Sequence, residues 1–332
     1  MISSVIFAGL MGSSVGEAAA LGGLLLPMMA EVGYKPGRAG GVIASGAILG
    51  PIIPPSTNFI LLGATISGLS ITKLFMIGLF PGIFIGLALM VVWFFIVRID
   101  GYNETITFTR EEKWKIIRDA TPAFMMPVLL LGGIRFGVFT PTEAAAVAVF
   151  YGLFVGVFIY RTINSISILV EIFAASIRAT AVVMLVVTCA GLFSWVASTV
   201  GLVEKGSAVL LAVSDNQWVV LLMINIILLL AGMLLDAISI YYVFLPFMLP
   251  IMAHFNWDPV WFGIMMTVNL AVGQVTPPVA VNLYVGANIS GISMERISKA
   301  ALPLIFASLL ALVVIIIFPD LSTFVPRMLG QM

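Results

Sequence analysis

The chain has 332 residues, of which 61% are hydrophobic and only 9% are charged, and its formal net charge is zero. Soluble domains carry about 25% charged residues, so a chain this apolar must have lipid as its solvent. The balanced charge, without a basic stripe, argues against nucleic acid as a partner. The single cysteine, Cys189, excludes a disulfide within the chain.

Apolar runs follow one another along the chain with short breaks, which predicts an all-α polytopic membrane protein. A spanning helix needs about 20 residues. Runs such as 71–97, 143–161, 179–200 and 297–318 reach that length, and other apolar runs, 15–30, 122–139, 216–235, 237–254 and 258–272, are less clear. Other runs are too short to cross alone and are interrupted by Gly, Pro, Ser or Asn: 2–12, 39–49, 59–68 and 282–290.

The first two runs predict a hairpin with a polar tip from Gly12 to Glu17. Ser14 and Glu17 have the spacing of a capping box, so the pattern favours Glu17 as a simple helix cap. A second limb that starts at this tip would aim its N–H groups and its positive dipole end inward. That arrangement favours an anion.

The segment from Gly50 to Asn58 must interrupt a helix, because Pro51, Pro54 and Pro55 remove backbone donors and clash with preceding carbonyls. Freed carbonyls are very costly in hydrocarbon unless they line a wet cavity or coordinate a cation. Carbonyl and hydroxyl oxygens suit an alkali cation. A proline kink between packed helices is the alternative.

A long polar stretch, Arg98 to Asp119, mixes charges of both signs around Trp114. This pattern predicts an amphipathic helix on the membrane surface, which links the apolar segments on either side.

The chain contains an internal repeat. PPSTNFILLGATISGLS, from Pro54, matches PPVAVNLYVGANISGIS, from Pro277, at an offset of 223 positions. The same offset pairs Gly50 with Gly273 and Gly9 with Gly232. An odd number of crossings separates the copies, so the second copy should enter from the opposite side. Inverted repeats with broken helices are typical of secondary transporters.

The repeat divides the chain into five predicted parts. They are a first transport core (1–97), a surface linker (98–120), scaffold helices of the second repeat (121–215), a second transport core (216–320) and a C-terminal tail (321–332).

The second copy repeats the break at Gly273 to Pro278, and each break is followed by an asparagine, Asn58 or Asn282. Two breaks at matching positions favour function over two kinks. Asp236 lies at the second hairpin tip between apolar runs. It is a candidate buried acid, with simple helix capping as an equal alternative.

A membrane-embedded enzyme would need a metal pair, a Ser–His couple or an Asp pair at membrane depth. One loop histidine, His254, and one plausible intramembrane acid, Asp236, do not supply it. We therefore expect no enzyme. A passive channel would not require two broken helices, so we do not expect a channel either.

In combination, several motifs resemble the large membrane subunit of the tripartite ATP-independent periplasmic (TRAP) transporters, over the whole chain. They are GSSVGEAAALG, GPIIPPS, GVFTPTEAAAVAVFYG, GMLLDAISI and VGQVTPPVAVNL.

The resemblance implies a sodium-driven importer of organic anions such as C4-dicarboxylates or sialic acid, in the bacterial inner membrane, with sodium as coupling ion and no other cofactor. It implies an elevator domain that moves against a scaffold. The implied partners are a small membrane subunit, an extracytoplasmic substrate-binding protein, the substrate and the lipid bilayer. A related sodium/dicarboxylate symporter that needs no binding protein is the alternative.

The resemblance also implies two cation sites, one at Ser13, Ser14, Gly50, Ile53 and Pro54, the other at Asp236, Gly273, Thr276 and Pro277. We expect a carboxylate substrate to lie between them, near Ser56, Asn58, Thr276 and Asn282.

The second copy is preceded by about a hundred residues of scaffold, whereas the first copy begins at Met1. We therefore expect a chain that lacks N-terminal scaffold helices of the family, and an incomplete scaffold would impair transport.

Overall fold

The computed structural model describes residues 1–66, 68–102 and 109–320. Within these ranges the chain forms helices and connecting turns, without a strand, as the sequence predicts. Seven of the described helices are long and apolar enough to cross a membrane.

The helices run in the following order: α1 (Ile2–Met11), α2 (Ser14–Glu31), α3 (Pro36–Gly46), α4 (Thr57–Thr65), α5 (Ile71–Asp100), α6 (Arg110–Arg135), α7 (Pro141–Phe154), α8 (Ile166–Thr199), α9 (Leu202–Val213), α10 (Gln217–Leu234), α11 (Ala237–Phe255), α12 (Pro259–Gly273), α13 (Val281–Ser290) and α14 (Met294–Ile317). A 3-10 turn, Ala47–Leu49, follows α3, and a π-helical turn, Val155–Ile159, follows α7.

The chain divides into two compact units, Met1–Tyr102 with Val187–Met332, and Asn103–Val186. The first unit contains both copies of the repeat. Each copy has a helical hairpin (α1–α2 or α10–α11), a helix that breaks (α3 or α12), a short continuation (α4 or α13) and a long helix (α5 or α14). The opposite orientation of the copies in the membrane stays a prediction.

The two copies interlock within the first unit. Helix α13 of the second copy packs against α2 and α3 of the first, and α14 packs against α3 and α5. The centre is formed by the helices that break, since α12 is buried from Val260 to Gly273 and α3 from Ala39 to Gly46. A helix that is apolar on every side needs such a buried position.

In the second unit, α6 and α7 pack against each other. A capping box starts each of them: Thr109 with Glu112, and Thr140 with Glu143. The Tyr151 hydroxyl also donates to the Pro122 carbonyl at 2.7 Å.

The boundary predicted at residue 120 lies inside a helix, because α6 runs without a break from Arg110 to Arg135. The polar part of α6 continues directly into its apolar part, since charged residues do not end a helix. Residues 103–108 of the predicted linker and the tail 321–332 lie outside the described residues.

A largely buried acid, Asp100, joins the end of α5 to the start of α3. The Asp100 side chain is 9% exposed and contacts Arg38 Nε at 3.0 Å and Lys35 Nζ at 3.5 Å. The Tyr102 hydroxyl accepts a hydrogen bond from the Lys35 backbone N–H at 2.8 Å.

We expect Asp100→Ala to destabilise the first unit by about 1–2 kcal/mol, because Arg38 would keep a largely buried charge without its partner. The thermal unfolding midpoint of the detergent-solubilised protein measures this. Glu295→Ala is the control, since it breaks an exposed pair with Lys299 and such pairs contribute little. Equal effects of the two substitutions would contradict the prediction.

Candidate functional site

The first break is held together by its own side chains and backbone. Ile52 and Ile53 donate their N–H groups to the Leu49 carbonyl at 2.9 and 2.8 Å. Ser56 is fully buried, and its hydroxyl donates to the Pro51 carbonyl and accepts from the Phe59 N–H, which caps α4. The Ser56 hydroxyl therefore already satisfies a carbonyl that the prolines set free.

The tip of the first hairpin is fastened to this break. The Gly12 carbonyl accepts from the Thr57 N–H at 3.1 Å and from the Thr57 hydroxyl at 2.7 Å. Gly12 has a φ of +62°, and a Cβ there would lie 2.6 Å from the Pro55 carbonyl oxygen. Only glycine fits this close approach of two chain segments.

Gly50 lets the hairpin tip approach the break closely. A Cβ on Gly50 would lie 2.7 Å from Glu17 Oε2 and 2.9 Å from the Ser13 carbonyl oxygen. Two of the predicted cation residues, Ser13 and Gly50, are therefore together. Ile53 and Pro54 lie in the same turn, with the Ile53 side chain against Gly82 of α5.

Glu17 is not the helix cap that its spacing predicts. Ser13 is the N-cap of α2, and it makes no side-chain capping hydrogen bond. Glu17 is fully buried, and both of its carboxylate oxygens lack a hydrogen-bond partner among the described residues. The sequence contains one indication of a special role, because Glu17 is the only charged side chain between Met1 and Ala30.

The second break repeats the first with different side chains. A Cβ on Gly273 would lie 2.8 Å from Gly232 Cα, so the ends of α10 and α12 touch through two glycines. Thr276 donates its N–H to the Gly273 carbonyl at 2.9 Å and its hydroxyl to the Val272 carbonyl at 2.7 Å. The peptide bond Pro277–Pro278 is cis, like Pro54–Pro55 in the first copy.

The tip of the second hairpin is fastened in a similar way, because the Ala280 N–H donates to the Met233 carbonyl at 3.3 Å. Asp236 is exposed and caps α11, accepting from the Ser239 N–H at 3.1 Å and from the Ser239 hydroxyl at 2.6 Å. The expectation of a buried acid is wrong here, and the capping alternative is confirmed. A carboxylate that starts a helix finds its hydrogen-bond donors locally.

The two copies meet through Ser14. Its hydroxyl donates to the side-chain carbonyl of Gln274, in the second break. Ser14 therefore contacts the second break rather than Gly50. Gln274 is buried, and no pattern in the sequence indicates its role, because its partner lies 260 positions away.

Asn282 lies next to this junction, and its backbone N–H donates to the Gln274 carbonyl at 3.0 Å. The Asn282 side chain is fully buried, and neither its nitrogen nor its oxygen has a partner among the described residues. The same is true of the buried Asn58 Nδ2 and Ser45 Oγ. Buried polar atoms are nearly always paired, so these groups mark places for a ligand or ordered water.

Comparison with known proteins gives a match over almost the whole chain. A family model described as "Tripartite ATP-independent periplasmic transporter, DctM component" matches residues 1–321. The chain is 34% identical over 328 residues to the sialic acid TRAP transporter large permease protein SiaM of Vibrio cholerae, covering 99% of this chain and 76% of that protein.

Two further relatives are named for other substrates. The 2,3-diketo-L-gulonate TRAP transporter large permease protein YiaN of Escherichia coli is 35% identical over 321 residues, which cover 97% of this chain and 75% of that protein. The C4-dicarboxylate TRAP transporter large permease protein DctM of Pseudomonas aeruginosa is 33% identical over 331 residues, which cover 100% of this chain and 77% of that protein. These matches confirm the family resemblance that the motifs predict.

We expect Gly50→Ala and Gly273→Ala each to destabilise the protein by about 1–3 kcal/mol, because the added methyl group has no room at either contact. Thermal unfolding of the purified protein measures the change. Gly23→Ala in α2 is the matched control, since a Cβ there meets nothing within 4 Å in the described part of the chain. The prediction is wrong if the three variants unfold alike.

Proposed function

The chain belongs to the DctM family of TRAP transporters, and we propose that it imports a small organic anion with the sodium gradient as its driving force. It is a large permease and a multi-pass protein of the inner membrane, and therefore a transporter rather than an enzyme. We propose the class of anion, the sodium coupling and the protein partners in addition to this.

The substrate class is a carboxylate. Sialic acid, diketogulonate and C4-dicarboxylates, for which the three relatives are named, share this group. The observation that carries the proposal is the Asn282 side chain, which is fully buried with a free amide donor. A buried amide without a partner is costly, and a carboxylate oxygen would supply the missing acceptor. Asn58, Ser56 and Thr276 are the other proposed contacts.

The two breaks fit sodium as the transported coupling ion. At the first break, the unpartnered carboxylate of Glu17 and the Ser13 carbonyl both lie close to Gly50. At the second break, Thr276 uses its hydroxyl hydrogen on the Val272 carbonyl, which leaves the oxygen lone pairs for a cation. Hard oxygen ligands of this kind suit alkali and alkaline-earth cations. Pro54 and Pro277 lie in the corresponding turns.

Contacts within the first unit support movement of the two copies as one body. The Ser14 hydroxyl of the first hairpin donates a hydrogen bond to the Gln274 side chain of the second break, and α13 packs against α2 and α3. Both hairpin tips are also fastened to their breaks through backbone hydrogen bonds. Alternating access would then be a rigid-body motion around the buried site. Sodium and substrate should each raise the affinity for the other by the same factor.

We further propose two protein partners, a small membrane subunit and an extracytoplasmic binding protein, from the tripartite organisation that the family description names.

Uptake into proteoliposomes tests this function. The permease, assembled with its small subunit and the binding protein, should accumulate labelled sialic acid or a C4-dicarboxylate only when a sodium gradient and the binding protein are both present. Sodium-driven uptake without the binding protein would instead establish the symporter alternative. Equal uptake in sodium and in choline would refute the coupling.

We expect Asn282→Leu to weaken substrate binding at least tenfold, with no loss of thermal stability in the absence of substrate. Leucine keeps the shape of the side chain and removes two unpartnered buried atoms, which is neutral or stabilising. Equilibrium binding of labelled substrate and thermal unfolding together measure this. Asn288→Leu, at an exposed position on the same helix, should leave binding unchanged, and equal loss in both variants would contradict the assignment.

A further inference from the structure

Glu17 is a buried acid at the contact between the first hairpin and the first break. It lies in the first turn of α2, its side chain is fully buried, and both carboxylate oxygens lack a partner among the described residues. An ionised carboxylate without a partner is among the most costly groups to bury. An ionised Glu17 therefore requires a compensating group, whereas a neutral Glu17 would carry a proton.

The side chain is directed at a specific place. Glu17 Oε2 and the Ser13 carbonyl oxygen both lie within 3 Å of the point that a Cβ of Gly50 would occupy. One of these oxygens is anionic and the other belongs to a backbone carbonyl. Because Gly50 has no side chain, both oxygens can lie close to its backbone.

Helix capping does not explain this placement. Ser13 holds the N-cap position, and its carbonyl already accepts the Glu17 N–H at 2.9 Å as the first hydrogen bond of α2. The Glu17 side chain makes no hydrogen bond to the free N–H groups of the helix start. By contrast, Glu112 and Glu143, on exposed helix starts, fold back onto Thr109 and Thr140.

We propose that Glu17 is the anionic ligand of the first cation site, which it forms with the Ser13 carbonyl at Gly50. This inference rests on the proposed sodium coupling and names the residue that gives one of the two sites its charge. A sodium ion between a carboxylate and carbonyl oxygens neutralises Glu17 and replaces its missing hydrogen bonds.

The second copy lacks this charge. The position that corresponds to Glu17 is Ile240, which is fully buried and apolar. Asp236 corresponds to Ser13, and its carboxylate is exposed and bound to Ser239. The first site therefore contains a buried carboxylate without a partner, whereas the Asp236 carboxylate of the second copy is exposed and already hydrogen-bonded. The first site fills without substrate, whereas the second depends on the negative charge that the substrate brings.

Sodium titration without substrate tests the assignment. The thermal unfolding midpoint of the purified protein is followed as sodium chloride replaces choline chloride, because a ligand that binds only the folded state raises that midpoint. We expect Glu17→Gln to be at least as stable as the unmodified chain without sodium, and to need at least tenfold more sodium for the same shift. Glu17→Asp keeps the charge and should retain part of the response.

Glu31→Gln is the matched control, since Glu31 ends the same helix and is exposed. It should respond to sodium like the unmodified chain. An unchanged sodium response of Glu17→Gln would overturn the inference and indicate a proton on the buried carboxyl. A lack of response in the unmodified chain would refute the sodium coupling itself.

Hydrogen exchange on the unmodified chain supplies a second measurement that needs no variant. Sodium alone should slow exchange around Ser13 to Glu17 and Gly50, and substrate should be needed to slow it around Gly273 to Thr276. If sodium alone slowed exchange at the second break before the first, the proposed order of cation binding would be wrong.

Discussion

The architecture depends on one constraint, that backbone N–H and carbonyl groups at membrane depth cannot stay unpaired. A broken helix violates this constraint unless another segment supplies partners. In the first break, the Pro51 carbonyl is satisfied by the Ser56 hydroxyl, and the Thr57 N–H by the Gly12 carbonyl. In the second copy, the Ala280 N–H donates a hydrogen bond to the Met233 carbonyl. Each break is therefore possible only because a hairpin tip lies against it, and small residues permit that approach.

Local patterns were enough to predict the repeat, the two breaks and most helix boundaries. Prolines and glycines act on the backbone next to them, so the ends of α3 and α12 can be recognised without tertiary information. The roles of the two acids could not be predicted in the same way. Glu17 has capping-box spacing but is buried, and Asp236 lies between apolar runs but is exposed. Burial depends on which distant helix covers a residue, and the Ser14–Gln274 contact joins residues 260 positions apart.

The repeat conserves backbone geometry more closely than chemistry. Gly50 and Gly273 both lie where a helix breaks, in contact with a hairpin. The side chains around these turns differ, with an acid near one and a threonine in the other. A duplicated fold thus provides two similar positions, and substitution at only a few residues allows each position to take a separate role. The unpartnered amide of Asn282 lies close to the junction where the two copies meet.

The length of α5 has a consequence for the lipid around it. Between Lys73 and Arg98 the helix has no charged residue, and at 1.5 Å per residue this apolar stretch is about 36 Å long. The hydrocarbon core of a typical bilayer is about 30 Å thick. The mismatch must be absorbed by tilting of α5 or by local thickening of the bilayer. Because Asp100 ties the end of α5 to Arg38 at the start of α3, a change in membrane thickness acts directly on the first broken helix. Acyl-chain length is therefore a physical variable of this permease, alongside its ions and its substrate.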